Sequence, residues 1–385
     1  MRPRLYTPGP TQIPDEVINV MSQPMRHHRS ADFKKLFKET SRNLNQLFKT
    51  EDDVLTLTCS GTGAMESAIV NILSAGEKVL SIEGGKFGER WGDVSRTFGL
   101  NVVSVEVPWG KTLDLDDFKA KLLEHSDARA VIVTHSETST GVAFDVQTIT
   151  ELTHQHSDAV VIVDGITSVG VLPFYKDEWG VDVVVSGSQK GAMVPSGLAF
   201  VALNEKAWRL AEKSNLPKFY FDLPKARKAL DNDTTPFTPA VTMILGLHTS
   251  LNMMLERGVE HFWSKYARLA HSTREGAKAV GLELFAETPS NALTAIKIPE
   301  NIDGVAFVNC LREKYNITVA GGQAQLKGNI FRVAHMGYYD HLDMVAFASA
   351  MELALKDHGW EFELGRAVAT VQIAYSNDLE LSLAK

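Results

Sequence analysis

Lys190 closes the pentapeptide SGSQK (186–190), directly after the apolar run VDVVVS (181–186) and before the small-residue stretch GAMVPSG (191–197). A lysine placed where a buried strand ends faces the crevice in which open α/β sheets bind their ligands. Its amine condenses with an aldehyde to a Schiff base, provided desolvation or a cationic neighbour keeps it neutral. The competing reading is an ordinary surface lysine. Glycine and serine on both sides, which let a bulky ligand approach the backbone, argue against that reading.

Two further motifs supply what an aldehyde cofactor needs. AVVIVDGITSVG (159–170) ends an apolar strand on Asp164, an acid able to hold a proton on a pyridine nitrogen and so improve the ring as an electron sink. Taken alone, Asp164 could equally cap the turn that follows it. CSGTGAME (59–66) sets Ser60, Gly61 and Thr62 between a strand and a helical run. There backbone N–H groups, hydroxyls and the helix dipole favour a phosphate, although such a cluster is often merely a turn. An aldehyde, a pyridine nitrogen and a phosphate together describe pyridoxal phosphate.

The elements that must position these groups are legible from periodicity. Seven β-rich runs, 54–58, 78–82, 102–107, 130–134, 159–164, 181–186 and 198–203, alternate with helical stretches at 63–74, 87–98, 114–124 and 145–156. Several runs are apolar on both faces, as strands between helix layers must be. Asp114 is placed to cap its helix. The alternation predicts an α/β fold with a mostly parallel, doubly wound sheet. A polar loop near 231–239 precedes one long helix expected at about 241–271, followed by strands at 292–298, 316–320 and 330–335 and helices near 304–314 and 340–356. This predicts an N-terminal arm (1–14), a large domain (15–255) and a smaller α+β domain (256–385).

Composition narrows the chemistry further. A formal net charge of −8 disfavours nucleic acid and anionic membrane as partners. No stretch reaches about 18 uninterrupted apolar residues, and Met1 to Pro14 lacks the apolar core of a signal peptide, so a cytoplasmic protein is expected. Cys59 and Cys310 are too few for a disulfide framework, a zinc site or an iron–sulfur cluster. His27, His28, His135 and His335 show no ligand spacing, so no metal is expected, and His28 and His135 read as structural or supporting groups. No nucleophilic serine elbow, P-loop or GxGxxG motif follows a strand.

With YTPGPT (6–11), GGKFGERW (84–91), HSETSTG (135–141), FTPAV (237–241) and GNIFRVAHMG (328–337) added to the motifs above, the chain resembles, nearly end to end, the class V aminotransferases of PLP fold type I, in the alanine–glyoxylate/serine–pyruvate aminotransferase branch. The resemblance implies a seven-stranded large domain, Lys190 as the Schiff-base lysine and Asp164 as the partner of the pyridine nitrogen. It further implies Ser60, Gly61, Thr62 and Gln189 at the phosphate, Phe87 stacked on the ring and Thr138 near the ring oxygen. Phe87 stands where many relatives have Trp or Tyr, so a π face remains without an indole N–H. Thr238 matches a residue that reaches the phosphate of a neighbouring subunit, which implies a homodimer; Thr235 stands where some relatives have an aromatic. Arg332 matches the substrate-carboxylate arginine, a role suited to a planar bidentate donor, and the strand around it predicts burial against something anionic. Gly9 in the arm is implied to close over the substrate.

The expected activity is ping-pong transfer of an amino group from alanine or serine to glyoxylate or pyruvate. The alternatives are a phosphonate, phosphoserine or aspartate aminotransferase, or a non-metal subunit of a soluble hydrogenase, a label that relatives carry. A cysteine desulfurase would need a mobile cysteine, whereas Cys59 lies in the phosphate motif and Cys310 in an expected helix.

Overall fold

The computed structural model describes residues 2–383. Its central sheet holds seven strands: β1 (Val54–Leu57), β2 (Lys78–Glu83), β3 (Asn101–Glu106), β4 (Ala130–Thr134), β5 (Val160–Asp164), β6 (Val183–Gly187) and β7 (Ala199–Leu203). Their order across the sheet is β1-β7-β6-β5-β4-β2-β3. All neighbours are parallel except β7, which runs antiparallel to both β1 and β6. Strands β4 to β7 are buried along their whole length, which is why they read as continuous valine-rich runs rather than alternating ones. Alternate side chains serve two cores. Val131, Val133, Val161 and Val163 join one, and Ala130, Ile132, Val160 and Ile162 join the other.

Helices Gly61–Ile72 and Lys86–Thr97 pack on β6 and β2 respectively. The third expected helix forms at Leu115–Glu124, and Asp114 caps it by accepting from the Asp116 and Asp117 N–H groups. Helix Ala31–Phe48, not anticipated in the sequence, covers the sheet region together with Val241–Arg257. The single helix expected at 241–271 is instead two, Val241–Arg257 and Val259–Ala279. Gly258, at φ +85°, breaks the path by adopting a left-handed backbone that other residues resist. Periodicity carries across that break, so the pattern alone does not reveal it.

Beyond these helices, Leu293–Lys297, Ile330–Ala334 and Ala320–Gly321 form a three-stranded antiparallel sheet with Ile330–Ala334 in the middle. The expected strand 316–320 is two short ones, because Ile317–Thr318 pairs instead, in parallel, with Arg4–Leu5 of the N-terminal arm. The Tyr6 carbonyl then accepts from the Ala334 N–H at 2.8 Å, so the arm is stitched to the strand that carries Arg332. No helix among the described residues is long and apolar enough to cross a membrane.

Candidate active site

The ends of β4, β5 and β6 and the start of helix Gly61–Ile72 enclose one cavity, and eight residues singled out from the sequence line it: Ser60, Gly61, Thr62, Phe87, Thr138, Asp164, Gln189 and Lys190. Strand β6 ends at Gly187, and Ser188 bolts the following loop by donating to the Pro195 carbonyl at 2.6 Å and accepting from the Leu198 N–H at 3.2 Å. That loop turns Lys190 into the cavity. Its amine donates to the Pro8 carbonyl oxygen of the arm. A β-carbon on Gly9 would lie 2.1 Å from the Lys190 Nζ and displace the amine, and the φ of +144° is one that other residues resist. Burial pushes the amine down to about 8; the Arg332 and Arg90 charges push the same way and Asp164 opposes them. The shift leaves about a fifth of the amine neutral near pH 7.4, against about a thousandth at the ordinary lysine value, and the neutral form is the nucleophile.

Asp164 is buried, with both oxygens engaged. Oδ1 accepts from the Ile166 N–H at 2.9 Å and Oδ2 from the Trp91 indole N–H at 3.0 Å. Burial raises its pKa, while those two hydrogen bonds and the nearby cations hold the shift back. The turn-capping reading and the site reading of this residue therefore coincide, since a carboxylate has lone pairs for both.

Ser60 is the N-cap of its helix, yet its side chain makes no capping bond, so the hydroxyl is not spent on its own backbone. On the same wall the Thr134 hydroxyl and the Gln189 carbonyl oxygen are buried without a hydrogen-bond partner. Buried polar atoms usually find a partner in protein, ordered water or a ligand, and these two face the cavity. An amine with a lowered pKa, a buried acid, an aromatic face and spare donors at a helix N-terminus fit pyridoxal phosphate.

Phe87 is held by a residue the sequence reading passed over. Glu137, fully buried, accepts from the Phe87 and Gly88 N–H groups, both at 3.0 Å, through one oxygen. Through the other it accepts from the Ser139 N–H at 3.0 Å and hydroxyl at 2.6 Å. It thus caps the start of helix Lys86–Thr97, where the dipole favours a negative charge, and fixes the ring's seat. Arg90, Trp91, Thr134, Ser136, Ile166 and Thr167 also border the site or its acid and were likewise not singled out. Membership of GGKFGERW, HSETSTG or VDGITSVG was the one signal that could have found most of them.

Two expected residues stand apart. Arg332 is buried, but against carbonyl oxygens and not the anion that its strand suggested: it donates to Thr138 O at 2.7 Å and to Gly321 O at 2.7 and 3.1 Å. Backbone acceptors satisfy a buried guanidinium as well as a carboxylate would; the charge that offsets its burial is Glu137. Thr238 lies with Thr235 in a separate cleft beside Tyr220 and Phe237 and is not among the residues that line the cavity. His135 is buried against Phe174 and Trp179, and His335 against Thr294 and Met344, so both sit in packing positions.

A doubly wound sheet with a half-buried lysine just past one strand end and a buried acid at the end of the next strand defines the PLP fold type I aminotransferases. The family model "Aminotransferase class-V" matches residues 4–338, and the chain belongs to that family of pyridoxal-phosphate-dependent transaminases. It is 43% identical to a Synechococcus protein named "Soluble hydrogenase, small subunit", over 95% of this chain and 96% of that one. It is 35% identical to the L-aspartate–glyoxylate aminotransferase of Paracoccus denitrificans, over 96% of each chain. Among solved structures, the ureidoglycine–glyoxylate aminotransferase of Bacillus subtilis superposes with a TM-score of 0.92 at 27% identity, over 98% of each chain.

Proposed function

We propose that the chain transfers an amino group from a small amino acid, alanine or serine, to glyoxylate or pyruvate, in two half-reactions that share one site. The observation that carries this reading is the convergence of the Lys190 amine and the Asp164 carboxylate on one cavity that opens beside a helix N-terminus. Pyridoxal phosphate, when bound, supplies the aldehyde and the electron-withdrawing ring. Lys190 is the group that links to the aldehyde and, once freed, carries a proton to or from the substrate Cα. Asp164 keeps a proton on the ring nitrogen, Phe87 packs on the ring face, and Thr138 faces its oxygen. The arm at Pro8 and Gly9 lies over the amine and sheds water from it. Arg332 receives the substrate carboxylate through the N–H groups that the Thr138 and Gly321 carbonyls leave free, with those carbonyls fixing how the planar fork is turned. Glyoxylate as acceptor is supported by relatives named L-aspartate–glyoxylate and serine–glyoxylate aminotransferase. A homodimer in which Thr238 completes the partner's phosphate site accords with its absence from the lining of the cavity in its own chain.

An absorbance spectrum of the purified protein with pyridoxal phosphate, followed by a screen of amino donors against glyoxylate, tests the proposal. A visible band that is lost in Lys190→Ala, together with turnover of alanine or serine, is expected; a band retained in that variant refutes the lysine assignment. Preference for aspartate or a phosphorylated donor would select an alternative substrate. The Synechococcus relative's name favours a second reading, a non-metal subunit of a hydrogenase complex. Co-purification with a metal-bearing large subunit would support it.

A further inference from the structure

A phosphate monoester at neutral pH carries a charge of about −1.5 to −2. Of the groups that face the cup, Ser60, Gly61, Thr62 and Gln189 are neutral donors, and the helix terminus adds only about half a positive charge. Asp164 is itself an anion, and the Lys190 amine is committed to the aldehyde. Charge balance at the cup therefore calls for a cation that none of these residues supplies.

Arg90 is the one other cation on the cavity wall. It lies one turn after Phe87 on helix Lys86–Thr97, and its guanidinium carbon sits 4.8 Å from the centroid of the Phe87 ring, which holds it by a cation–π contact. The contact it makes with the cup is long: Nη1 lies 3.4 Å from the Thr62 hydroxyl oxygen. It forms no ion pair with any described carboxylate, in contrast to its neighbour Glu89, which is paired with Lys86. Arg332, whose charge also reaches Lys190, has three of its donors on backbone carbonyls and is not among the residues lining the cup, whereas Arg90 is.

We propose that Arg90 is the counter-charge of the cofactor phosphate, donating to its oxygens alongside Thr62. This rests on the pyridoxal phosphate reading of the cavity and adds a residue to its phosphate site. Phe87 then has two tasks: it offers a face to the cofactor ring and it orients the guanidinium that meets the phosphate.

The test compares pyridoxal phosphate with pyridoxal, which has the same ring and aldehyde and no phosphate. Each is titrated by absorbance into the cofactor-free protein, wild type and Arg90→Gln. The expected result is a ten- to hundredfold weaker affinity of the variant for pyridoxal phosphate with less than a twofold change for pyridoxal, and partial recovery in Arg90→Lys. Inorganic phosphate should also raise the thermal midpoint of the cofactor-free wild type and not that of Arg90→Gln. An equal loss for both aldehydes would mean that Arg90 acts through the ring seat, and would overturn the proposal. Unchanged affinity for pyridoxal phosphate, with KM raised for aspartate and not for alanine, would overturn it in favour of a substrate carboxylate. If the wild type itself binds pyridoxal phosphate no better than pyridoxal, the phosphate cup at Ser60 to Thr62 fails, and Arg90 with it.

Discussion

Asp164→Asn looks at first like a change of charge alone, because the two side chains have the same shape. The structure gives it a second consequence. Oδ1 accepts from the Ile166 N–H and Oδ2 from the Trp91 indole N–H, and an amide offers one acceptor and one NH2. Whichever way the asparagine is turned, its NH2 faces one of those donors. A buried N–H left in that state costs about 1–3 kcal/mol. The variant should therefore unfold in urea with stability lower by about that amount even without cofactor. Losing the negative charge beside the ring nitrogen should separately lower kcat by at least about a hundredfold, or roughly 2.7 kcal/mol of barrier.

Trp91→Phe separates the two effects, since it deletes the indole N–H that conflicts with the amide. Combined with Asp164→Asn it should show a favourable coupling of about 1–3 kcal/mol in the unfolding cycle. The rate should not recover, because phenylalanine restores no charge. Urea unfolding and steady-state kinetics on the four proteins measure both quantities. Unfolding of Asp164→Asn identical to wild type would refute the hydrogen-bond argument, and kcat recovered in the double variant would refute the electronic one.

Glu137→Gln should leave two N–H groups of the Phe87 clamp, or the Ser139 pair, facing an NH2, at about 1–3 kcal/mol for each donor left unpaired. It should weaken pyridoxal and pyridoxal phosphate alike in absorbance titrations, because it disturbs the ring seat and not the phosphate; selective loss of the phosphorylated form would contradict this. Arg332→Leu should raise KM for every α-carboxylate substrate and lower kcat/KM by about 2–5 kcal/mol. It should also lower the thermal midpoint, since the Thr138 and Gly321 carbonyls lose their donor; unchanged kinetics would move the carboxylate site elsewhere. Because Lys190 is pushed down from 10.5 to about 8, cofactor linkage to the cofactor-free protein should quicken about tenfold per pH unit below that value and level off above it. Between 8 and 10.5 the unfolded chain holds the proton that the folded one has released, so this lysine's contribution to stability rises with pH across that window. Stopped-flow absorbance from pH 6.5 to 9 checks the rate, and a flat profile would place the amine's pKa outside that range.

Local pattern carried the sheet and the residues at its strand ends. Valine-rich runs on both faces mark buried parallel strands, and a strand that stops on Asp164, or just short of Lys190, delivers that side chain to the crevice by the geometry of the sheet alone. Tertiary packing decided the rest. The Trp91 bond to Asp164 spans 73 positions and the Glu137 bond to Phe87 spans 50, and neither residue type announces a partner so distant. Arg332 stands on an apolar strand as expected, but only the fold brings two backbone carbonyls to it where an anion was anticipated. Gly258 breaks a helix whose apolar period continues on either side, because the period records which face is buried and not whether the axis is straight. Strand identity follows from interactions within a few residues. The hydrogen bonds that tune the site follow from which loops the assembled sheet brings together.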